Sequence, residues 1–455
     1  MATLISKPSF PGRPLGIAAA LLCMIGAAQA QSLAELYDAA RGYDAAYLSV
    51  RSQAESTLYK AEQARAANRP AVNLTAGATA VNSNTPYTAT KNTHSLTEQT
   101  ALNLTQALFN RGNDITITQA ERGIAIAYTL RLAAEQDLIV RLAQAYFDVL
   151  AARDALATTQ ANKTAIAEQL ASAKRNFEVG TATITDTREA QARFDQASAQ
   201  EIAADNDLRV KRLFLDQLVG RDGIEPKGLA QPVILPAPQP SDVGAWLSFS
   251  AEAPSVQKSQ LDFDVASLDI DKAKAANLPT VNLAGNVSGT HSSVNGNSAG
   301  AAGSSPFSLS GIGTGTSIGV SLSMPIWSGN LIDSRIKETV ALREKARSDL
   351  DAAKRKSAQD TRSAFFGVSS GLAQVKALEA AESSSKLALE ATQLGYKVGV
   401  RVNLDVLNAQ TQVFQTQRDL AKARYDVIVN GLKLRQASGQ LSPQDVATTS
   451  TLLSR

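Results

Sequence analysis

The stretch Tyr396–Gln410 reads YKVGVRVNLDVLNAQ, and Phe177–Gln191 reads FEVGTATITDTREAQ. Phe177 matches Tyr396, Gly180 matches Gly399, Asp186 matches Asp405 and Gln191 matches Gln410, each pair 219 residues apart. Both copies lie between long helical patterns, so each reads as the tight turn of a helical hairpin. Gly180 and Gly399 fit a helix end, where positive φ is wanted. Thr183, Thr185 and Asn403 fit the N-cap of the returning helix.

Working outward, the duplication continues. ARAANRPAVNLTAG (Ala64–Gly77) matches AKAANLPTVNLAG (Ala273–Gly285) at an offset of 209. LNLTQALFNRG (Leu102–Gly112) resembles VSLSMPIWSGN (Val320–Asn330) at an offset of 218. The jump places an insertion in the Gly/Ser/Asn tract Gly289–Gly315, which reads as an exposed loop. Between the halves, Pro226–Pro240 holds five prolines in fifteen residues and reads as an extended surface linker. The expected division is residues 1–30, 31–225, 226–241, 242–440 and 441–455, that is leader, first repeat, linker, second repeat and tail.

Each half follows one plan. A helix ends at Asn68 or Asn277, just before Pro70 or Pro279, because the residue before proline avoids helical angles. Two strands follow. Val72, Leu74, Ala76 and Ala78 alternate with Asn73, Thr75 and Gly77. Ile318, Val320, Leu322, Met324 and Ile326 alternate with Ser317, Gly319, Ser321 and Ser323. Proline-free helical patterns then run from about Asp114 to Asn176 and from about Asp333 to Gly395. The return helices, Asp186–Leu218 and Asp405–Ala437, are rich in Ala and Gln.

Charge is missing where the strands lie. Ala275–Ile332 contains no Asp, Glu, Lys or Arg, in a chain that is 19% charged. A soluble sheet puts Lys or Glu on its wet face and edges. Strands of about ten residues, alternating apolar with small polar side chains, fit a membrane barrel. Four strands cannot close a barrel, and lipid tolerates no unpaired sheet edge. Three chains would supply twelve strands, an even number in the known range.

Composition limits the function. Met1–Ala30 reads as a secretory signal, with Lys7 and Arg13, the apolar run Leu15–Gly26 and the small-x-small site Ala28–Ala30. Removing it leaves 43 basic against 42 acidic residues, which argues against a nucleic-acid partner. The only cysteine, Cys23, lies in the leader, so the mature chain has no thiol chemistry. No nucleophile–base pairing, phosphate loop or metal spacing stands out, so neither an enzyme nor a cofactor is expected. His94 and His291 read as surface residues of inter-strand loops. Phe109 and Trp327 fit an aromatic belt at strand ends. A secreted helical filament without channel activity is the alternative, and the duplicated strand pairs and the cleavable leader weigh against it.

AEQARAANRPAVNL and IDKAKAANLPTVNL before the strands, LTQALFNRG and LSMPIWSGN after them, and the two turns together resemble the TolC family of outer-membrane efflux and secretion channels. The resemblance implies an α+β membrane protein. Its fold would be a trimeric twelve-stranded outer-membrane β-barrel continued by a long periplasmic α-helical barrel. The linker and the tail would join an equatorial belt. The implied partners are two sister chains, outer-membrane lipid, a periplasmic adaptor and an inner-membrane transporter. The periplasmic end is pinched shut in such channels. Asp405 matches the first aspartate of the ring lining the pinch, and Asn408 stands where a second is common. Tyr396 and Asp186 match one gate link, and Arg401 and Thr185 match part of another. Arg175 replaces the glutamine expected beside that second link, which would set two guanidinium groups against each other.

Overall fold

A computed structural model describes residues 31–84, 90–300 and 303–453. The leader, with Cys23, lies outside them. The first half gives α1 (Leu33–Tyr43), α2 (Ala45–Ala66), β1 (Ala71–Ser83), β2 (Thr90–Phe109), α3 (Arg111–Glu178) and α4 (Ile184–Val219). The second gives α5 (Val243–Ser250), α6 (Pro254–Ala275), β3 (Thr280–Gly300), β4 (Gly303–Ser323), α7 (Leu331–Lys397) and α8 (Asn403–Ala437), and α9 (Pro443–Ser450) closes the chain. The element order is the same in both halves. The single helix expected before each strand pair is broken. Asp44 caps α2 by accepting the Tyr47 amide at 2.7 Å, and Pro254 opens α6 after Ala253.

The strands form one antiparallel sheet in the order β1-β2-β3-β4. Its register settles which side chains share a face. Leu74 pairs with Leu102, Leu102 with Val287 and Val287 with Thr316. One step along, Asn73 pairs with Asn103, Asn103 with Asn286 and Asn286 with Ser317. In this part of the sheet apolar residues therefore predominate on one face and small polar residues on the other, as the period of two required, while four residues along β2 from Leu102 the same face carries Glu98 opposite His291. The apolar face is bare: Leu74 is 71% exposed and Ile318 78%. Among the described residues, nothing pairs with the outer edges of β1 and β4.

The strands are longer than the ten residues expected. β1 has 13 residues, β2 has 20, and β3 and β4 have 21 each. The Gly/Ser/Asn tract read as a loop is mostly strand, paired in register from Gly289↔Thr314 to Ser298↔Ser305. Small side chains look like loop chemistry in sequence, yet continuous neighbouring strands pair their backbones. His94 and His291 consequently sit on β2 and β3 rather than in loops, and His291 faces Glu98. β4 ends at Ser323, so Met324 and Ile326 lie beyond it; Pro325 cannot donate to a ladder.

α3 and α7 have 68 and 67 residues, roughly 100 Å each at the α-helical rise. α3 packs on its return helix α4 and also on α8, while α7 packs chiefly on α8 and α6. α4 and α7 are thus the outer helices of the layer. Both carry bare apolar side chains, among them Ile202 and Leu213 on α4 and Phe366 and Leu387 on α7. Among the described residues, no helix is long and apolar enough to cross a membrane.

The main core lies midway along the helices, where α1, α3, α4, α8 and α9 meet. Leu142, Tyr146, Phe147 and Leu150 of α3 are sealed there, and the Phe147 ring stacks on Tyr425 at 5.7 Å. The linker carries neither helix nor named strand, and it is pinned. The Tyr146 hydroxyl lies 3.1 Å from the Gln31 carbonyl and 3.0 Å from that of Lys227. The Ala230 amide donates to Leu452 O at 2.9 Å, tying the linker to the tail.

Candidate gate at the hairpin tips

Both hairpin turns are built alike. The amides of Thr181 and Ala182 donate to the Asn176 carbonyl at 2.8 and 3.2 Å. The amides of Val400 and Arg401 donate to the Gly395 carbonyl at 2.9 and 3.2 Å. Gly180 has φ +77° and Gly399 +82°, the left-handed angles expected at a helix C-terminus. A Cβ at Gly399 would meet nothing within 4 Å, so a substitution there is felt through the backbone alone. Gly399→Ala is therefore expected to cost about 1–2 kcal/mol, read as a lower thermal midpoint in detergent. At Gly395 a Cβ would lie 2.8 Å from Arg401 Cγ, so a side chain there would displace that of Arg401.

The two tips lie side by side at one end of the molecule. Leu407 of α8 is fully buried among Ile166, Leu170 and Ala173 of α3 and Ala190 and Ala197 of α4. Polar bonds tie the same elements together. Asn176 Nδ2 donates to the Tyr396 hydroxyl at 3.4 Å. Arg193 Nη2 donates to Asn408 Oδ1 at 3.0 Å. Gln169 Nε2 donates to Asn403 Oδ1.

The duplicated aspartates have different surroundings. Asp186 is held in a capping box: its Oδ2 accepts the Thr183 amide at 2.9 Å and the Thr183 hydroxyl at 2.8 Å. The residue matching Thr183 in the second turn is Val402, which has no side chain to cap with. Asp405 is therefore free of that duty. It sits in the first turn of α8 with its Oδ2 3.6 Å from Arg401 Nη1, and both side chains are over one-third exposed. An exposed pair of this kind contributes at most about 1 kcal/mol. Asn403 is buried inside α8 instead of capping it, and Val402 takes the cap position.

The structure brings together only some of the residues expected at the gate. Tyr396 meets Asn176 and not Asp186, which faces its own cap. Arg401 meets Asp405 and not Thr185. Thr185 lies inside α4, and Arg175 stands exposed in the last turn of α3. Asn176, Gly395 and Arg193 were not anticipated. Asn176 and Gly395 are 219 residues apart, so the repeat itself could have revealed them. Arg193 and Asn408 are 215 apart, off the repeat, and only the packing of α4 against α8 joins them.

The family model described as outer membrane efflux protein matches residues 36–221 and 248–440. The chain is 33% identical to outer membrane protein TolC of Vibrio cholerae serotype O1, over 95% of this chain and 96% of that one. It is 31% identical to the alkaline protease secretion protein AprF of Pseudomonas aeruginosa, over 68% of this chain and 63% of that one. Among solved structures, the outer membrane protein VceC from Vibrio cholerae superposes with a TM-score of 0.73 at 17% identity, covering 90% of this chain and 96% of its own. The open state of the Neisseria gonorrhoeae MtrE outer membrane channel gives 0.68 at 20% identity, covering 90% of each chain.

Proposed function

The chain belongs to the outer membrane efflux protein family, and from that premise we propose that three copies close into one exit duct, a twelve-stranded barrel above a helical tunnel. The observation that carries this reading is the pair of open edges. Among the described residues β1 and β4 each lack a partner on one side, and the sheet has a bare apolar face. A spanning sheet has to close, so β4 of one chain pairs with β1 of the next. The outer helices α4 and α7, with their bare apolar residues, meet across the same boundary. The duct is an outer-membrane protein reaching into the periplasm, and it performs no catalysis. It takes cargo from an inner-membrane transporter through a periplasmic adaptor, for efflux or for secretion. The domain boundaries given above, with a duplicated half on each side of the linker, belong to this proposal.

The hairpin tips form the periplasmic gate of the duct. Asp405 and Asn408 line its narrowest part, with the turns at Gly180 and Gly399 below them. Tyr396, held by Asn176, and Arg401, turned to Asp405, latch it. Asp186, Thr185 and Arg175 stand at the facing tip, where a neighbouring chain would meet Arg401. Arg401→Ser and Tyr396→Phe are expected to raise single-channel conductance in planar lipid bilayers, Arg401→Ser more strongly. Unchanged conductance for both variants would remove the latch. A purified protein that inserts into lipid without conducting would remove the duct.

A further inference from the structure

We propose that the lipid-contacting surface of the barrel ends at the row of Glu98 and His291, and that beyond it the two faces of the sheet exchange character, so that an apolar collar lines the outer mouth of the duct. The proposal rests on the reading that the sheet closes into a duct. It adds where lipid stops and what the mouth presents to cargo. On the lipid side, counted from the helices, Leu322 pairs with Val281, Val320 with Leu283, and Leu102 with Val287. Further along that face Glu98 pairs with His291, and His291 with Ile312. Among the described residues this is the first row on that face with ionisable side chains. Charge is costly at mid-bilayer and tolerated near the interface. Ten residues separate Leu322 from Ile312. That is about 33 Å of strand, or roughly 25 Å of height at a tilt of about 40°. The apolar band of a membrane barrel is about 25 Å tall. After a mixed row of Ala80, Leu96, Ser293 and Ser310, the same face turns wholly polar at Asn82, His94, Asn295 and Ser308. His94 Nδ1 lies 2.5 Å from Asn82 Oδ1 there.

The other face changes in the opposite sense at the same height. It starts polar at Asn73, Asn103, Asn286 and Ser317, and it is still polar at Thr79, Thr97, Ser292 and Gly311. The next row is Val81, Ser95, Val294 and Leu309, with Val81 and Leu309 exposed. One row further Gly296 pairs with Phe307. A Cβ on Gly296 would lie 2.9 Å from Thr93 Cγ2 and 3.0 Å from Phe307 Cε1, so the ring lies across the glycine on this face. No register shift falls between Ala107 and His94, so the residues make the exchange and not a bulge. Polar outside and apolar inside is the pattern of a sheet whose outer face is wet. Among the described residues, the inner face carries no charged side chain from the Asn103 row to the Phe307 row. Cargo in the barrel therefore crosses an uncharged sleeve and meets large apolar side chains only at the exit.

The test uses single cysteines in the full-length protein with Cys23→Ser, a background otherwise free of cysteine. Outer membranes are treated with a water-soluble maleimide, then again after detergent. Val287→Cys on the lipid face should stay unlabelled until detergent is added, while Ser288→Cys on the inner face labels at once. Beyond the boundary, Val294→Cys and Asn295→Cys should both label in the membrane. A polymer-linked maleimide on Val294→Cys should at least halve the single-channel conductance in planar bilayers. The same tag on Asn295→Cys should leave it unchanged. Leu309→Cys and Ser308→Cys, on the same two rows, repeat the comparison if either variant fails to assemble as a heat-dissociable oligomer. An Asn295→Cys thiol shielded until detergent would place lipid above the Glu98 row and overturn the boundary. Equal conductance for the two tagged proteins would overturn the collar and leave the duct reading standing. Free labelling of Val287→Cys would mean that no lipid covers that face, and the duct reading would fall as well.

Discussion

Leu102→Arg should abolish assembly in the outer membrane, while Gln99→Arg on the same strand should be accepted. Leu102 lies on the apolar face between Leu74 and Val287, two residues from Leu104 on the same face. Gln99, three residues along β2, points to the other face, between Gly77 and Thr290. Arginine at mid-bilayer on the lipid face of a barrel costs about 2–4 kcal/mol per site. If three chains close one barrel, as proposed, the change is carried three times, and the assembled duct would lose roughly 6–12 kcal/mol. That is comparable to the whole stability of an ordinary domain. On the polar face, arginine meets water and small neighbours. The measurement is the fraction of protein recovered in the outer membrane as a heat-dissociable oligomer. Equal recovery of the two variants would refute the assignment of faces, and with it the closed barrel.

That face assignment was readable from the residues because two signals agreed, the period of two and the absence of charge from Ala275 to Ile332. The turns were readable for a similar reason: Gly180 and Gly399 recur at one spacing, and both adopt the angles that glycine permits. Strand length was not readable. Gly, Ser and Asn between Gly289 and Gly315 carry no outward sign of pairing, and the backbone of the adjoining strands supplies it. The break at Asp44 was hidden too, since one aspartate in a helical pattern is ordinary until its carboxylate is seen to cap α2.

At the hairpin tips, sequence located the turns but not the bonds between them. Asp186 and Asp405 are identical in the repeat and differ in role because Thr183 became Val402. A side chain two or three residues away decides whether the carboxylate caps a helix or turns to Arg401. Arg193 had no repeat partner to announce it. Contacts between helices distant in sequence depend on packing angle and register, which local patterns do not encode. Tyr396 shows the same limit, since it meets Asn176 instead of the aspartate its alignment suggested.

Asp44 should act as an acid-sensitive fastener of the region midway along the helices. It is 8% exposed, caps α2 at the Tyr47 amide, and accepts both Nη1 and Nη2 of Arg141 at 3.1 Å. Burial pushes its carboxyl up, but the two bonds from Arg141 and the one from Tyr47 outweigh this and hold it below its ordinary range. A carboxyl depressed in the folded chain contributes stability above its unfolded value, about 3.9, and that contribution is lost as pH falls through the folded value. Wild-type protein in detergent is therefore expected to lose thermal stability through this site only below about pH 4. Arg141→Ala leaves the carboxylate buried and unpaired. It should cost about 2–3 kcal/mol at neutral pH, below the full value for a buried pair because Arg141 stays one-third exposed. Asp44→Asn keeps a capping oxygen for Tyr47 and removes the charge, so its loss should be smaller and its own pH dependence flat. Melting midpoints of the three proteins between neutral pH and pH 3 decide the matter. If Asp44→Asn followed the same acid slope as wild type, the fastening would belong to another group.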